Sequence, residues 1–398
     1  MLDLMKLARQ MQGISKHLSQ EAEAASRRLT VASNLMTQAC RHQNELVSTL
    51  EKWRDRIPFA IASPIEPLDT RIAIQPAPES HTVIATDGSQ ISPSHHEIAY
   101  CYLLNVGRVV LHYGQSRYPL LDSLPEVVYR PEDLYVSRQW GIRTEEWMGY
   151  RRTVSEAEAL AELACPTLLS AIPPATTCPT LALTDGSLIY WFLEDLPSEA
   201  RDRLLPPILQ AWDHLQAAGI PLLGYISASR SGAALNFLRL QSCPFEMPDC
   251  LTHCPGKTDC APCQVCDPLR DVTLWATLLE PGQRGPLWRS SASVLTDYKE
   301  HQVYFCYIHV GPEVARVEMP EWVAIDPTLR DAALEMVITQ VQKGYGYPIA
   351  LTEAHNQAVV RGGDRLRFFT LLEREMVRAG LPNVGTSYKE ARKRGNIA

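Results

Sequence analysis

A short apolar run that stops at a carboxylate occurs twice in this chain. His81-Thr82-Val83-Ile84-Ala85-Thr86-Asp87-Gly88-Ser89 is one copy, and Leu181-Ala182-Leu183-Thr184-Asp185-Gly186-Ser187 is the other. Both runs are apolar and partly β-branched, which predicts buried strands. Each delivers an acidic side chain where its strand stops, and ligands of open α/β sheets sit beyond strand ends. Asp-Gly is also a plain turn dipeptide, so one copy alone says little. The repetition of strand-Thr-Asp-Gly-Ser favours a shared site in which Asp87 and Asp185 hold one cation.

Composition excludes some partners. A net charge of −7 over 398 residues leaves no overall basic field, so nucleic acid would be met by a local groove. No apolar run is long enough to span a bilayer. Met1–Gln20 is mixed and polar rather than a signal peptide, and a cytoplasmic location is expected. Eleven cysteines, an odd number, argue against a full disulfide framework. Six fall between Cys243 and Cys266, and in a reducing compartment such clustering points to metal before disulfide.

Residues 1–56 are poor in Gly and Pro and carry apolar residues at helical spacing, which predicts an N-terminal helical segment. Residues 57–80 are Pro-rich and read as a linker. Residues 81–398 read as the main domain, with a Cys-rich insertion at 243–270. Within it, Glu97–Val106 and Arg108–Gly114 suggest a hairpin turning at Val106-Gly107, and 119–135 looks irregular. Tyr150–Ala171 suggests a helix capped by Ser155 with Glu158 in a capping box. A helix over Ser198–Ala218, a strand over Ile220–Ser227 and strands at Val303–Val310 and Val314–Met319 follow. Helices are then expected from Pro327 to Lys343, from Thr352, and over Arg365–Ala379. The fold class is a mixed-sheet α/β core flanked by helices.

A two-metal phosphoryl-transfer site needs acidic residues converging from different elements, and Mg²⁺ or Mn²⁺ suits an all-oxygen donor set. Asp87 and Asp185 supply two ligands. The helix before the second strand offers Glu156, Glu158 and Glu162; any of these can equally be a solvated helix residue. Tyr347, in a Gly-Tyr-Gly-Tyr-Pro turn, is followed by His355, a candidate base or ligand. Arg230 and the Arg151-Arg152 pair are candidates for phosphate contacts.

These residues resemble a family. Val83-Ile84-Ala85-Thr86-Asp87-Gly88-Ser89 resembles the first motif of the NurA nucleases. Thr184-Asp185-Gly186-Ser187-Leu188 resembles their second, reached after a Glu-bearing helix. Tyr347-Pro348 with His355 resembles their C-terminal tyrosine–histidine pair. The ordered set spans residues 81–360. The resemblance implies an RNase H-like core and Mn²⁺- or Mg²⁺-dependent DNA nuclease activity. It also implies a homodimer working with a hexameric HerA-type ATPase in DNA end resection. It makes Asp87, Asp185 and a helix glutamate the metal ligands, Glu156 before Glu158, with Tyr347 and His355 beside them.

The Cys segment is not part of that pattern. It runs Cys243-x₆-Cys250-x₃-Cys254-x₅-Cys260-x₂-Cys263-x₂-Cys266, with His253 inside. The Cys-x₂-Cys-x₂-Cys run points to metal. Cys250, Cys254, Cys260, Cys263 and Cys266 are the expected ligands, of structural Zn²⁺ or an iron–sulfur cluster. Two other functions stay open. An actin-like or sugar-kinase-like ATPase would use the Asp-Gly-Ser turns around phosphate. A non-catalytic scaffold would bind DNA and a motor ATPase.

Overall fold

The computed structural model describes residues 3–93, 99–164, 178–256 and 260–380. The chain divides into two compact units. One is built from residues 1–75 and 225–324, the other from 76–224 and 325–398. Residues 225–324, expected within one domain over 81–398, group by contacts with the N-terminal segment.

The first unit opens with α1 (Leu4–Ala39) and α2 (Gln43–Trp53). The second half of α1 is held by burial: Ala32, Met36 and Ala39 enter a core with Phe237, Trp275, Trp288, Phe305 and Tyr307. The Pro-rich segment 57–80 is not free linker. It carries β1 (Ala62–Pro64) and β2 (Ile72–Ala73), and its Glu66 holds the buried Arg284 guanidinium at 2.6 and 2.9 Å. Proline is tolerated there because β1 is an edge strand, where a ladder donor is dispensable.

The second unit carries the repeated motif. Its first three strands are β3 (His81–Ile91), β4 (Tyr102–Tyr113) and β5 (Leu120–Val128), an antiparallel meander. The short α3 (Pro131–Leu134) and then α4 (Thr144–Ala164) follow. β6 (Thr180–Asp185) returns parallel to β3, and α5 (Ser198–Ala217) leads into β7 (Leu222–Ile226), where the chain passes to the other unit. The strand order β5-β4-β3-β6-β7 is a mixed sheet, flanked by helices.

Residues 225–324 complete the first unit with α6 (Ala233–Ser242), α7 (Cys250–His253), α8 (Asp271–Leu278), β8 (Gln283–Arg284), β9 (Trp288–Ser290), β10 (Val303–His309), β11 (Val314–Pro320) and α9 (Glu321–Ala324). There β1, β9, β10 and β11 lie side by side. The second unit ends with α10 (Pro327–Lys343), α11 (Ile349–Ala358) and α12 (Gly362–Arg378).

Three local expectations change. The hairpin at Val106-Gly107 is one continuous strand, β4, because Gly107 pairs with Asp87 in register. Residues 120–128 are a strand rather than irregular chain; they pair along β4 on the sheet edge, where Pro125 is tolerated. Helix α4 begins at Thr144, so Ser155 sits inside it and caps nothing. Glu145 and Glu146 occupy the first turn instead, where the helix dipole favours acids. The stretch 165–171 of that expected helix lies outside the described residues.

Gly107 lets α11 approach the sheet. A Cβ there would collide with the backbone oxygen of Ala354 and stand 2.5 Å from the nitrogen of Ala358. Both atoms belong to backbone that cannot swing aside. Gly107→Ala is expected to destabilise the second unit by about 2 kcal/mol or more, read from urea unfolding.

Candidate active site

Strands β3 and β6 pair parallel with Thr86 opposite Thr184. The next residue on each is Asp87 and Asp185, so the two carboxylates leave neighbouring strands at one level. The repeat is not two copies of one turn. Asp87-Gly88-Ser89 continues inside β3, paired with β4, whereas Asp185 is the last residue of β6. Helix α4 brings the third acid. The Thr86 hydroxyl donates to the backbone oxygen of Glu156 at 3.0 Å, which fixes the level of α4 against β3. Gly88 leaves room for two side chains of that helix: a Cβ there would meet the Glu156 carboxylate and stand 2.6 Å from Arg152 Cγ.

Asp87, Glu156 and Asp185 line one cavity of about 300 Å³, with Thr86, Arg152 and Thr184. Each acid has a protein partner. Asp87 Oδ1 accepts from the Gly88 amide at 2.8 Å, and its Oδ2 lies 2.8 Å from His355 Nδ1. Glu156 pairs with Arg152 Nε at 3.1 Å. The Tyr347 hydroxyl donates to Asp185. Arg152 supplies counter-charge beside Glu156.

Crowding shows in the protonation behaviour. Burial first, then the nearby charges of Asp87 and Asp185, push the Glu156 carboxyl up to about 7, against the lowering effect of Arg152. Asp185 is also raised, by burial and by Asp87, while the Tyr347 hydrogen bond and His355 oppose the shift. Glu156 and Asp185, both raised in this way, would be relieved by a divalent cation. The donor set, all oxygen and from three elements, suits a hard ion such as Mg²⁺ or Mn²⁺. Among the described residues, no group of three or more His, Cys, Asp or Glu side chains already stands in ion-holding geometry. An ion entering here would exchange with the present partners.

The Tyr347 and His355 elements are anchored from beneath. Fully buried Gln340 accepts from the first turn of α11 at Ala350 N, 3.1 Å away, and donates to the Tyr113 hydroxyl at 3.0 Å. At the other end of α11, Asn105 Nδ2 and Ser89 Oγ both donate to the Ala358 oxygen, the former at 2.7 Å. Nothing in the local spacing marks Gln340 or Asn105 as such anchors.

Other expected residues fall elsewhere. Glu158 is exposed and sits near Arg151 and Glu162. Arg151 lines a different cavity, with Tyr102, Glu126 and Asp133, and Arg152 takes the place beside the acids. Arg230 is exposed and belongs to the other unit.

The Cys segment also rearranges. Cys243, Cys250, Cys254 and Cys263 line one small cavity in the first unit. Cys260 is exposed, and Cys266 packs into the hydrophobic core with Trp275 and Leu274. Of the expected ligands, Cys250, Cys254 and Cys263 line this cavity together with Cys243, while Cys260 and Cys266 do not. The members of the Cys-x₂-Cys-x₂-Cys run thus lie in three different surroundings.

A family model described as the NurA domain matches residues 81–360. Among solved structures, the NurA nuclease from Sulfolobus solfataricus is similar at 13% identity and a TM-score of 0.47, covering 92% of this chain and 98% of that one. No curated protein matches the chain.

Folded Glu156 holds its proton more tightly than the unfolded chain does, whose carboxyl stays near 4.5. In buffer free of divalent ions, stability should fall as pH rises from about 4.5 to about 7. The full difference corresponds to ~3 kcal/mol. Glu156→Gln should flatten this slope, measured by urea unfolding at stepped pH.

Proposed function

Since the chain belongs to the NurA family of nucleases, we propose that it is a metal-dependent DNA nuclease hydrolysing phosphodiesters at the Asp87–Glu156–Asp185 cavity. One observation carries the reading: three carboxylates from three elements line one cavity, and Tyr347 and His355 bond to two of them. The strand order of the second unit supports the RNase H-like reading of this core.

Asp87, Glu156 and Asp185 would hold Mn²⁺ or Mg²⁺. When bound, such ions lower the pKa of water and stabilise the attacking and leaving oxygens of an in-line displacement. The protein's own residues prepare that site. His355 keeps Asp87 oriented through Nδ1, so proton exchange falls to Nε2 on a ring that is 67% exposed. Tyr347 fixes the Asp185 carboxylate by donating its hydroxyl proton to it. Arg152, paired to Glu156, is the nearest cation for a phosphate once Glu156 turns to an ion.

The family reading also supplies context: a homodimer acting on DNA with a hexameric HerA-type ATPase in end resection, in the cytoplasm. Exposed apolar residues on edge strand β5, Leu120, Leu121, Leu124 and Val127, support a covered face. No helix among the described residues is long and apolar enough to cross a membrane. The kinase-like alternative loses support, because Asp87-Gly88-Ser89 is extended strand and forms no turn to wrap a phosphate. The scaffold alternative leaves the convergence of the three acids unused.

Asp87→Asn and Asp185→Asn should each reduce cleavage of end-labelled linear DNA in Mn²⁺ by roughly 10²–10³-fold or more, with circular dichroism unchanged. Full Mn²⁺-dependent cleavage by both variants would remove the proposed site. His355→Asn should cost about 10²-fold in the same assay.

A further inference from the structure

The Cys cavity lies outside the nuclease chemistry. Its volume is about 10 Å³, room for one water-sized occupant. Its wall is formed by Cys243, Cys250, Cys254 and Cys263, with Pro244, Phe245, Pro248, Asp249, His253 and Pro262 around them. Cys243 directly follows α6. Cys250 opens α7 and Cys254 follows its end, four residues on, so the two share one face. Asp249 caps α7 at the Thr252 amide and is itself clamped by Arg56 at 3.0 and 2.8 Å. His253 is stacked on Phe245, with ring centres 4.3 Å apart.

A second observation points to charge in this cavity. Arg239 is only 8% exposed. Its Nε and Nη2 both donate to Cys263 Sγ, at 3.4 Å each, while Nη1 donates to Asn236 Oδ1 at 3.4 Å. Its guanidinium lies on the Phe59 ring, 3.6 Å from the centre. Among the described residues, no carboxylate pairs with it. A buried guanidinium requires an anion, and a neutral thiol is only a weak acceptor. A metal-bound thiolate supplies the missing charge.

We propose that Cys243, Cys250, Cys254 and Cys263 form a structural tetrathiolate site for one Zn²⁺, with Arg239 as its buried countercation. Four S–Zn bonds form and the four thiol protons pass to solvent; nothing is oxidised or reduced. Four thiolates around Zn²⁺ leave net negative charge, which the two N–H bonds from Arg239 offset. The sulfurs line the gap rather than enclosing an ion as placed, so ligation includes their rotation into it. The ion would tie the end of α6, helix α7 and the Cys263 turn, in a segment with little other regular structure.

The test uses the purified full-length protein. Elemental analysis should find about one zinc per chain, in wild type and in Asp87→Asn alike. Co²⁺ loaded instead should give the intense visible and near-ultraviolet bands of tetrahedral thiolate coordination. Zinc should shield Cys243, Cys250, Cys254 and Cys263 from alkylation, mapped by peptide mass spectrometry, and leave Cys260 reactive. Chelation should expose those four together. Cys243→Ser should lose the metal and Cys260→Ser should keep it. The wild-type alkylation map decides the question even where a variant fails to fold. No bound metal, iron with acid-labile sulfide, or shielding of Cys260 and Cys266 in place of Cys243 would each overturn the assignment.

Discussion

The parallel pairing of β3 with β6 is the constraint on which the candidate site depends. With Thr86 opposite Thr184, the two aspartates leave adjacent strands at the same level. A slip of one residue would send one side chain to the opposite face and dissolve the pair. Everything else accommodates the resulting crowd of negative charge. Thr86 sets the height of Glu156, Gly88 leaves space for its carboxylate, and Arg152, His355 and Tyr347 each engage one acid. The site is therefore electrostatically loaded before any ion arrives. That arrangement favours cation binding, at a cost in the stability of the ion-free fold.

Much of the fold and site was legible in the sequence because it is local. The apolar run ending in Asp185, the Pro327 start of α10 and the helix expected over Ser198–Ala218 all matched elements. Less legible were features set by distant contacts. The strand character of 120–128 comes from its β4 partner, and the role of Gly107 comes from a helix more than two hundred residues away in sequence. Residue spacing alone left Glu156, Glu158 and Glu162 open; the phase of α4 against β3, which one Thr86 hydrogen bond fixes, sets Glu156 beside the aspartates. For the same reason Arg152, not Arg151, stands beside the acids.

The Cys segment shows the same contrast in sharper form. Along the chain its densest run is Cys260, Cys263 and Cys266. In space that run is split between solvent, a small cavity and the hydrophobic core. The partner that completes the cavity, Cys243, is the member farthest from the run in sequence. Arg239, one turn earlier on α6, carried no signal at all: an arginine in an amphipathic helix ordinarily reads as a surface residue. Its meaning emerges only from its burial and from the sulfur it faces.

The unit that holds the candidate site is discontinuous, and this orders its assembly during synthesis. Asp87, Glu156 and Asp185 leave the ribosome first. Tyr347 and His355 emerge only after residues 225–324, which belong to the other unit. A nascent chain that has reached β7 carries all three acids but neither the His355 contact to Asp87 nor the Tyr347 contact to Asp185. A hydrolase built in this order stays incomplete until His355 has been made, and a product truncated before Tyr347 lacks the residues that hold Asp87 and Asp185 in place.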